Sequence, residues 1–340
     1  MNFFITFIIT IFFSNFAFSN SLFDTNFYEI SFNSNNIEDD KLKKIRNIKY
    51  KSIKTIFNNI LEPSDFKDFE KKVNEDLINT FIKNIIIEDE KIINNNYSSQ
   101  VKINYSKSKI ITYLRSKNIG YVEFHPVNFL TIIYEKNNLE KKLFSKNNSY
   151  YNYLINNKNN LYYLPLLDIN DRFIMSYDDI ENLNLNKIRK FLSKYSKTEA
   201  ILIISSNLKN ENQYTLYFYH NNNFEQINKY NFINKSYEIL FDNVESDVVN
   251  FWKSKNLIQN DTFNNINCDV PYFNLLELKY IKSKLSNISI IKQIKLNNIS
   301  FSINNYNIDY YGTKKTLPIL FQMNGLDIKI FNNKCKILLK

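Results

Sequence analysis

Two clusters of acidic side chains are the residues of this sequence best suited to chemistry. The first is Glu88-Asp89-Glu90, which lies in a predicted hairpin turn. The second frames one loop and consists of Asp168, Asp171, Asp178 and Asp179. Paired carboxylates can hydrolyse glycosidic bonds or hold Ca²⁺. The loop lacks the glycine of an EF-hand turn and contains Arg172, so we favour solvated loop acids, with Asp178 as a helix N-cap, over a catalytic or calcium site.

Other residue types that catalyse reactions form no pattern. His125 precedes a proline and His220 lies at a predicted hairpin end, and neither has the spacing of zinc ligands. We interpret both as turn or surface histidines. The sequence has no G-x-S-x-G elbow, and the Ser106-Lys107-Ser108-Lys109 run matches a Ser-x-x-Lys spacing by chance. Three glycines are too few for a phosphate-binding loop. The sequence therefore predicts no catalytic, cofactor-binding or metal-ligating residue.

Cys268 and Cys335 are the only cysteines, and each lies on a predicted strand beside inward-facing apolar residues. The elements predicted for residues 236–340 have the order of a ferredoxin-like sheet. In such a sheet the first and last strands are neighbours, so the two thiols are placed to meet. An exported compartment permits a disulfide, and one that closes so long a loop would contribute about 3–4 kcal/mol. The alternative is a pair of buried free thiols, and the sequence leaves both open.

The amino-acid composition limits which classes of function are possible for this chain. The chain has 340 residues and 44% hydrophobic residues, which is typical of two or three globular domains. Its net charge is +10, with 40 lysines but only four arginines. Nucleic-acid sites favour the planar fork of arginine, and the lysines are mixed with acids as on a solvated surface. The favoured residues have A/T-rich codons, so we attribute the bias to a low-GC genome and predict no nucleic-acid partner.

The N-terminus has the pattern of a secretory signal peptide. An apolar run from Phe3 to Phe13 precedes the small-residue site Ala17-Phe18-Ser19. The alternative is an uncleaved anchor, but a span needs about 20 apolar residues and this run is shorter. We predict a cleaved signal over residues 1–20, a periplasmic location, and no membrane span in the mature chain.

Residues 21–121 predict an N-terminal α+β module with the order β-α-α-β-β-α. We predict a strand over residues 27–32, an amphipathic helix over residues 37–61 and a second helix after Pro63. Alternating apolar residues on both sides of Glu88-Asp89-Glu90 indicate a hairpin. A last helix then ends near Gly120, where we expect a C-cap with positive φ.

Residues 126–235 predict a central α/β module. The predicted order is a buried strand (128–135), a polar helix (139–155), an edge strand (161–167), a helix (178–195), a buried strand (200–206) and a hairpin that turns at residues 220–223. Buried strands that alternate with helices are typical of layered α/β domains.

Residues 236–340 predict a helix followed by a ferredoxin-like module. The helix covers residues 236–256, and the later elements follow the β-α-β-β-α-β order of that fold, with one last strand over residues 326–339. Gly312 and Gly325 lie at its element junctions. Together the three predicted parts give a multi-domain α+β and α/β chain of small sheet-and-helix modules.

The order of several short motifs resembles an exported proteobacterial family known only as a domain of unknown function. The matching positions are Ile87 with Glu90 and Lys91, the Tyr97 to Tyr105 strand, Ile119-Gly120-Tyr121, Trp252-Lys253 and Tyr310-Tyr311-Gly312. The resemblance implies a periplasmic address and no catalytic residues. The chain is also loosely similar, in fold alone, to envelope accessory modules, including flagellar-assembly proteins and the first domain of the Tol–Pal translocation component.

The sequence is compatible with two classes of function. The first is a non-catalytic binding or scaffold protein that contacts other periplasmic or envelope proteins through sheet edges and its aromatic surface, since aromatic residues make up 16% of the chain. The second is a carboxylate-based hydrolase of envelope polymers. We favour the first because no His, Cys or Ser constellation is present, and we predict no cofactor.

Overall fold

The computed structural model describes residues 22–340 except 138–139, 209–210, 233–235 and 333. The predicted signal peptide lies outside the described residues. Among the helices of the described part, none is both long and apolar enough to cross a bilayer. By contacts the chain divides into unit 1, which is the chain up to Phe124 together with Leu257–Lys340, and unit 2, which is His125–Asn256.

The N-terminal part of unit 1 is a three-stranded antiparallel sheet with helices. Its described elements are β1 (Tyr28–Asn33), α1 (Ile37–Ile60), α2 (Pro63–Lys72), α3 (Glu75–Phe81), β2 (Ile82–Ile93), β3 (Asn96–Tyr105) and α4 (Lys107–Ser116). The strand order is β1-β3-β2. Helix α1 confirms the predicted amphipathic helix. The Asn36 side chain caps it, and acids in its first turn complement the helix dipole.

Three local predictions in this part are wrong. The stretch after Pro63 forms two helices, because the Asn74 side chain caps a new one at Glu75. The hairpin turns at Asn94-Asn95, both with positive φ, whereas Glu88-Asp89-Glu90 lies at an irregularity inside β2. After α4 the residue with positive φ is Asn118 and not Gly120.

Unit 2 is built on a mixed sheet. Its described elements are β4 (Phe129–Lys136), β5 (Lys141–Leu143), α5 (Ser149–Asn156), β6 (Tyr162–Tyr163), α6 (Ile169–Ile174), α7 (Tyr177–Glu181), α8 (Leu185–Lys194), β7 (Ala200–Leu208), β8 (Glu211–His220), β9 (Asn223–Phe232) and α9 (Tyr237–Asn256). The strand order is β5-β4-β7-β8-β9, with the short β6 beside β4. The central β4 and β7 run parallel, and their buried runs form the core.

Element boundaries in unit 2 differ from the predictions where asparagines cap helices. The predicted helix 139–155 is a short strand followed by α5, which Asn148 caps. The predicted helix 178–195 is α7 and α8, separated at Leu183 (φ 48°) and restarted by the Asn184 cap. The predicted strand 161–167 is reduced to Tyr162–Tyr163.

Helix α9 belongs to unit 2, so the division by contacts falls after Asn256 and differs from the predicted boundary at 235/236. Its aromatic residues explain the placement. Phe241 stacks on Tyr153 of α5 with ring centroids 5.3 Å apart, and Phe251 contacts Phe218 of β8 at 5.4 Å. These ring contacts bury the apolar stripe of α9 against unit 2.

The C-terminal part of unit 1 follows the predicted ferredoxin-like order, which confirms the fold class. Its described elements are β10 (Phe263–Pro271), α10 (Leu275–Ser286), β11 (Ile291–Ile299), β12 (Ile303–Tyr311), α11 (Thr316–Met323), β13 (Leu326–Phe331) and β14 (Lys334–Leu339). The strand order is β11-β12-β10-β14-β13. The predicted single last strand is a hairpin that turns at Asn332, and β14 pairs in parallel with β10.

A short backbone bridge joins the two parts of unit 1. The Ile258 N–H donates to the Tyr121 carbonyl at 2.8 Å, and the Tyr121 N–H donates back at 3.4 Å. Gly120 lies beside this bridge, and a Cβ there would come within 3.2 Å of the Gln259 side chain. Close approach of two chain segments, and not positive φ, is thus the constraint at Gly120.

A buried carboxylate reinforces the same junction. Glu123 is 2% exposed and pairs with the Lys107 ammonium at 2.8 Å, and the Ser289 hydroxyl donates to it. Arg115 donates to the Tyr121 hydroxyl at 2.9 Å and to the Ser289 carbonyl at 2.7 Å. A buried carboxylate that loses its hydrogen-bond donors is costly, because its charge cannot reach water instead. This network therefore fastens α4 and the segment after it to the ferredoxin-like module.

The two cysteines meet in the structure. Cys268 of β10 and Cys335 of β14 are register partners, lie 4.4 Å apart at Cα, and form a disulfide. The bridge covers a sequence separation of 67 residues. It therefore ties the C-terminal hairpin to the centre of the sheet.

We expect reductant to lower the free energy of unfolding by about 3–4 kcal/mol, because the unfolded chain regains the entropy that the bridge removes. Urea denaturation with and without dithiothreitol measures this. A Cys268→Ser/Cys335→Ser variant is the control and should be insensitive to reductant. Alkylation of both cysteines in the unreduced chain would contradict the bridge.

Candidate functional site

The first acidic cluster stabilises the N-terminal sheet. Asp89 adopts positive φ where the pairing of β2 with β3 shifts register. Glu90 then accepts hydrogen bonds from Lys41 of α1 at 2.6 Å and from the Tyr97 hydroxyl of β3 at 2.8 Å. The bond to Lys41, and then the one to Tyr97, lowers the pKa of Glu90. The contacts of Glu90 thus connect helix and sheet.

The second acidic cluster caps helices. Asp168 caps α6, and its side chain accepts from the Asp171 N–H at 2.9 Å. Ser176, and not the predicted Asp178, caps α7, with Asp179 completing a capping box. Asp178 lies inside the first turn of that helix. The prediction of solvated loop acids is wrong for Asp171, which is fully buried.

Asp171 is the centre of a hydrogen-bonded network. It accepts from the Lys194 ammonium and the Tyr195 hydroxyl, both at 2.6 Å, and from the Leu167 N–H at 3.0 Å. Burial, and then the bond to Asp171, raises the pKa of Tyr195 to about 12. Charge-assisted hydrogen bonds of this kind offset the cost of burying an acidic side chain. Its oxygens are engaged by the protein.

Neither histidine joins an acidic cluster. The ring of His220, at the end of β8, pairs with Glu199. His125 is exposed on the segment that precedes β4. Across the described residues, no group of three or more His, Cys, Asp or Glu side chains could hold a metal ion.

The family-like positions have structural contacts. The Tyr105 hydroxyl bonds Ser52 at 2.8 Å and the Lys49 carbonyl at 3.0 Å, which attaches α1 to β3. Trp252 and Lys253 are buried in α9.

At the junction of unit 1, the Arg115 guanidinium lies over the Tyr311 ring, 4.1 Å from its centroid. Gly312 has φ 79°, and a Cβ added there would lie 3.6 Å from the Ile258 side chain. Gly120 and Gly312 therefore both lie beside the short segment of residues 258–259.

A groove lies between β1 and α1 in unit 1, and we call it the edge groove. Strand β1 pairs with β3 on one side and, among the described strands, has no partner on the other. The groove encloses about 300 Å³. Its walls are Tyr28, Glu29, Ile30 and Ser31 of β1 and Lys44, Asn47, Ile48 and Lys51 of α1.

The helical wall of the edge groove is one face of α1, since its four residues recur at i, i+3, i+4 and i+7. Ile48 and Ile30 are buried and form the floor. Lys44 and Asn47 are exposed, and their side chains have no hydrogen-bond partner among the described residues. Lys51 lies over the Tyr28 ring, 5.7 Å from its centroid, and burial raises the pKa of Tyr28.

An open strand edge beside a polar helix face can bind another strand. The exposed N–H and C=O groups of an edge strand are a template for pairing, and the lysines offer charge to an incoming chain. The sequence predicted both β1 and α1 but gave no sign of the groove, because the strand order that leaves β1 at the edge depends on long-range pairing.

Replacing Tyr195 with phenylalanine should lower the free energy of unfolding by about 1–2 kcal/mol at neutral pH, because Asp171 loses a donor. The difference from the parent should shrink as the pH rises above about 10, where the unfolded chain releases the Tyr195 proton that the folded chain keeps. It should be lost near the folded pKa of about 12.

Urea unfolding followed by circular dichroism at several pH values measures this effect. Tyr177→Phe is the control, since that half-exposed hydroxyl has no hydrogen-bond partner among the described residues. A difference between Tyr195→Phe and the parent that stays constant from pH 7 to pH 12 would show that the bond to Asp171 is not the cause.

Comparison with known proteins identifies no relative of this chain. No protein-family model matches it. No curated protein matches it, and no solved structure does. Kinship with the exported proteobacterial family accordingly stays a prediction, and the site must be interpreted from its own geometry.

Proposed function

We propose that this chain is an exported, non-catalytic binding protein of the cell envelope that captures extended peptide segments in the edge groove. The observation that carries the proposal is the open edge of β1 beside the exposed face of α1. The engagement of Glu90 and Asp171 by neighbouring side chains favours binding over carboxylate-based hydrolysis.

Strand addition is the mode of binding that suits this groove. An extended peptide extends the β1-β3-β2 sheet by pairing with the outer edge of β1, and main-chain hydrogen bonds supply the affinity. Alternate side chains of the peptide then face α1. Ile30 and Ile48 receive an apolar side chain, since both are buried at the floor.

The charge of the edge groove determines which peptides it prefers to bind. Lys44 and Lys51 lie one helical turn on either side of Asn47 and Ile48, and Glu29 is the acid among the lining residues. The groove is therefore net positive, and an acidic side chain on the peptide gains charge-assisted contacts there. The preferred ligand is an extended segment of another envelope protein that carries Asp or Glu beside an apolar residue.

Selection from a displayed library of random peptides, followed by calorimetric titration of the selected peptides, tests this proposal. We expect selected peptides to be acidic and to lose about tenfold or more in affinity for a Lys44→Glu/Lys51→Glu variant. Methylation of alternate backbone nitrogens on one edge of the peptide should abolish binding, because it removes the main-chain donors.

Lys67→Glu/Lys72→Glu is the matched control. It makes the same change in net charge on exposed positions of α2, outside the groove, and should bind as the parent does. Equal loss of affinity in both variants would reduce the effect to net charge, and selected peptides that tolerate every backbone methylation would rule out strand addition.

Export has its own test. The chain expressed with its native N-terminus should be recovered from a periplasmic extract with an intact mass that lacks about the first 19 residues. The same measurement should show the Cys268–Cys335 bridge, since that compartment permits disulfides. A full-length chain in the cytosolic fraction would contradict export.

A further inference from the structure

One end of the ferredoxin-like module exposes large apolar side chains. Residues 271–276 run from the last residue of β10 into the first turn of α10, and residues 296–303 form the end of β11 and the turn into β12. We call these two segments together the apolar end. Phe301 is fully exposed and Phe273 is 97% exposed. Other exposed apolar residues there are Leu275, Leu276, Leu296, Ile299 and Ile303.

The two segments of the apolar end lie against each other. Pro271 and Ile303 are register partners at the ends of β10 and β12. The Tyr272 N–H donates to the Ser302 carbonyl at 2.9 Å, and its hydroxyl donates to the Ser300 carbonyl at 3.4 Å. The two segments that carry the exposed side chains are thus joined by strand pairing and hydrogen bonds.

Charged residues are missing from this surface. They make up 23% of the chain, yet residues 270–276 and 296–308 contain none. Glu277 follows in α10, and its carboxylate accepts from the Phe273 N–H at 2.7 Å, which stabilises the turn into α10. An exposed apolar patch of this kind marks a site of interaction.

We propose that the apolar end inserts into the interface of an anionic lipid bilayer. Phe273 and Phe301 are almost completely exposed, and fluid lipid can close around such side chains, whereas a protein partner would need preformed pockets. Exposed Lys279 and Lys282 follow on α10, and residues 257–340 carry eleven lysines against five acids. Apolar insertion and lysine attraction to anionic headgroups together hold a protein at a membrane surface.

Flotation with vesicles of one part phosphatidylglycerol to two parts phosphatidylcholine tests the proposal. The full chain, purified from an exporting host so that every variant has the same N-terminus, should float with these vesicles. A Phe273→Ser/Phe301→Ser variant should lose about tenfold or more in partition coefficient at an unchanged melting temperature. Vesicles of phosphatidylcholine alone, or high salt, should weaken binding of the parent.

Phe263→Ser/Phe331→Ser is the matched control, since these phenylalanines are 52% and 66% exposed elsewhere on the same module. It should partition as the parent does. In a second measurement, a tryptophan placed by Phe301→Trp should shift its emission to the blue when vesicles are added, and one placed by Phe331→Trp should not. The buried Trp252 supplies a constant background.

Three results would overturn the proposal. The first is that the parent does not float with the vesicles. The second is that the Phe273→Ser/Phe301→Ser variant floats as well as the parent. The third is that the parent is a dimer in solution that does not bind vesicles, and that the variant is a monomer. The last result would assign the apolar end to a second copy of the chain.

Discussion

The hydrogen-bonded network of the buried Glu123 with Lys107, Ser289 and Arg115 is the interaction on which unit 1 depends. Glu123 and Arg115 belong to the N-terminal part of the chain, whereas Ser289 belongs to the ferredoxin-like module. A carboxylate that is 2% exposed requires its partners in place. The network therefore specifies one docking of two segments that are separated by all of unit 2. Apolar packing alone would allow these two segments more than one relative position, because it is not directional.

The edge groove is held in place by the same kind of polar contact. Tyr105 bonds Ser52 and the Lys49 carbonyl, while Tyr97 and Lys41 share Glu90. These contacts hold α1 on the sheet near the positions where Lys44 and Lys51 line the groove. The aromatic hydroxyls of β3 thus have two uses, since their rings fill the core and their oxygens orient the helix.

Much of the secondary structure was predictable because it depends on local pattern. The stripe of α1, the buried β4 and the turn of β8 into β9 at Asn221-Asn222 follow from periodicity and turn chemistry. Errors arose where asparagine is abundant. Asn94-Asn95, Asn184 and Asn332 each start or end an element, and a sequence so rich in asparagine offers many equivalent sites for positive φ or capping.

The candidate site was harder to predict than the elements that form it. The edge groove results from the position of β1 in the strand order, and the Glu123 network results from docking between distant segments. The groove and the network both depend on pairing between distant parts of the chain. The sequence around residues 28–31 or around residue 123 does not indicate this pairing. The pairing of Cys268 with Cys335 was easier, because the fold pattern placed their strands side by side.

The insertion of unit 2 into unit 1 determines the order in which the chain can fold. Unit 2 is continuous from His125 to Asn256, so all its partners are present soon after that segment is synthesised. Unit 1 must wait until Ile258, Ser289 and the strands beyond them have emerged. During that interval Glu123 and Arg115 lack the Ser289 groups that complete their network. We therefore expect the completion of unit 1 to be the slower step, because its contacts span a large sequence separation.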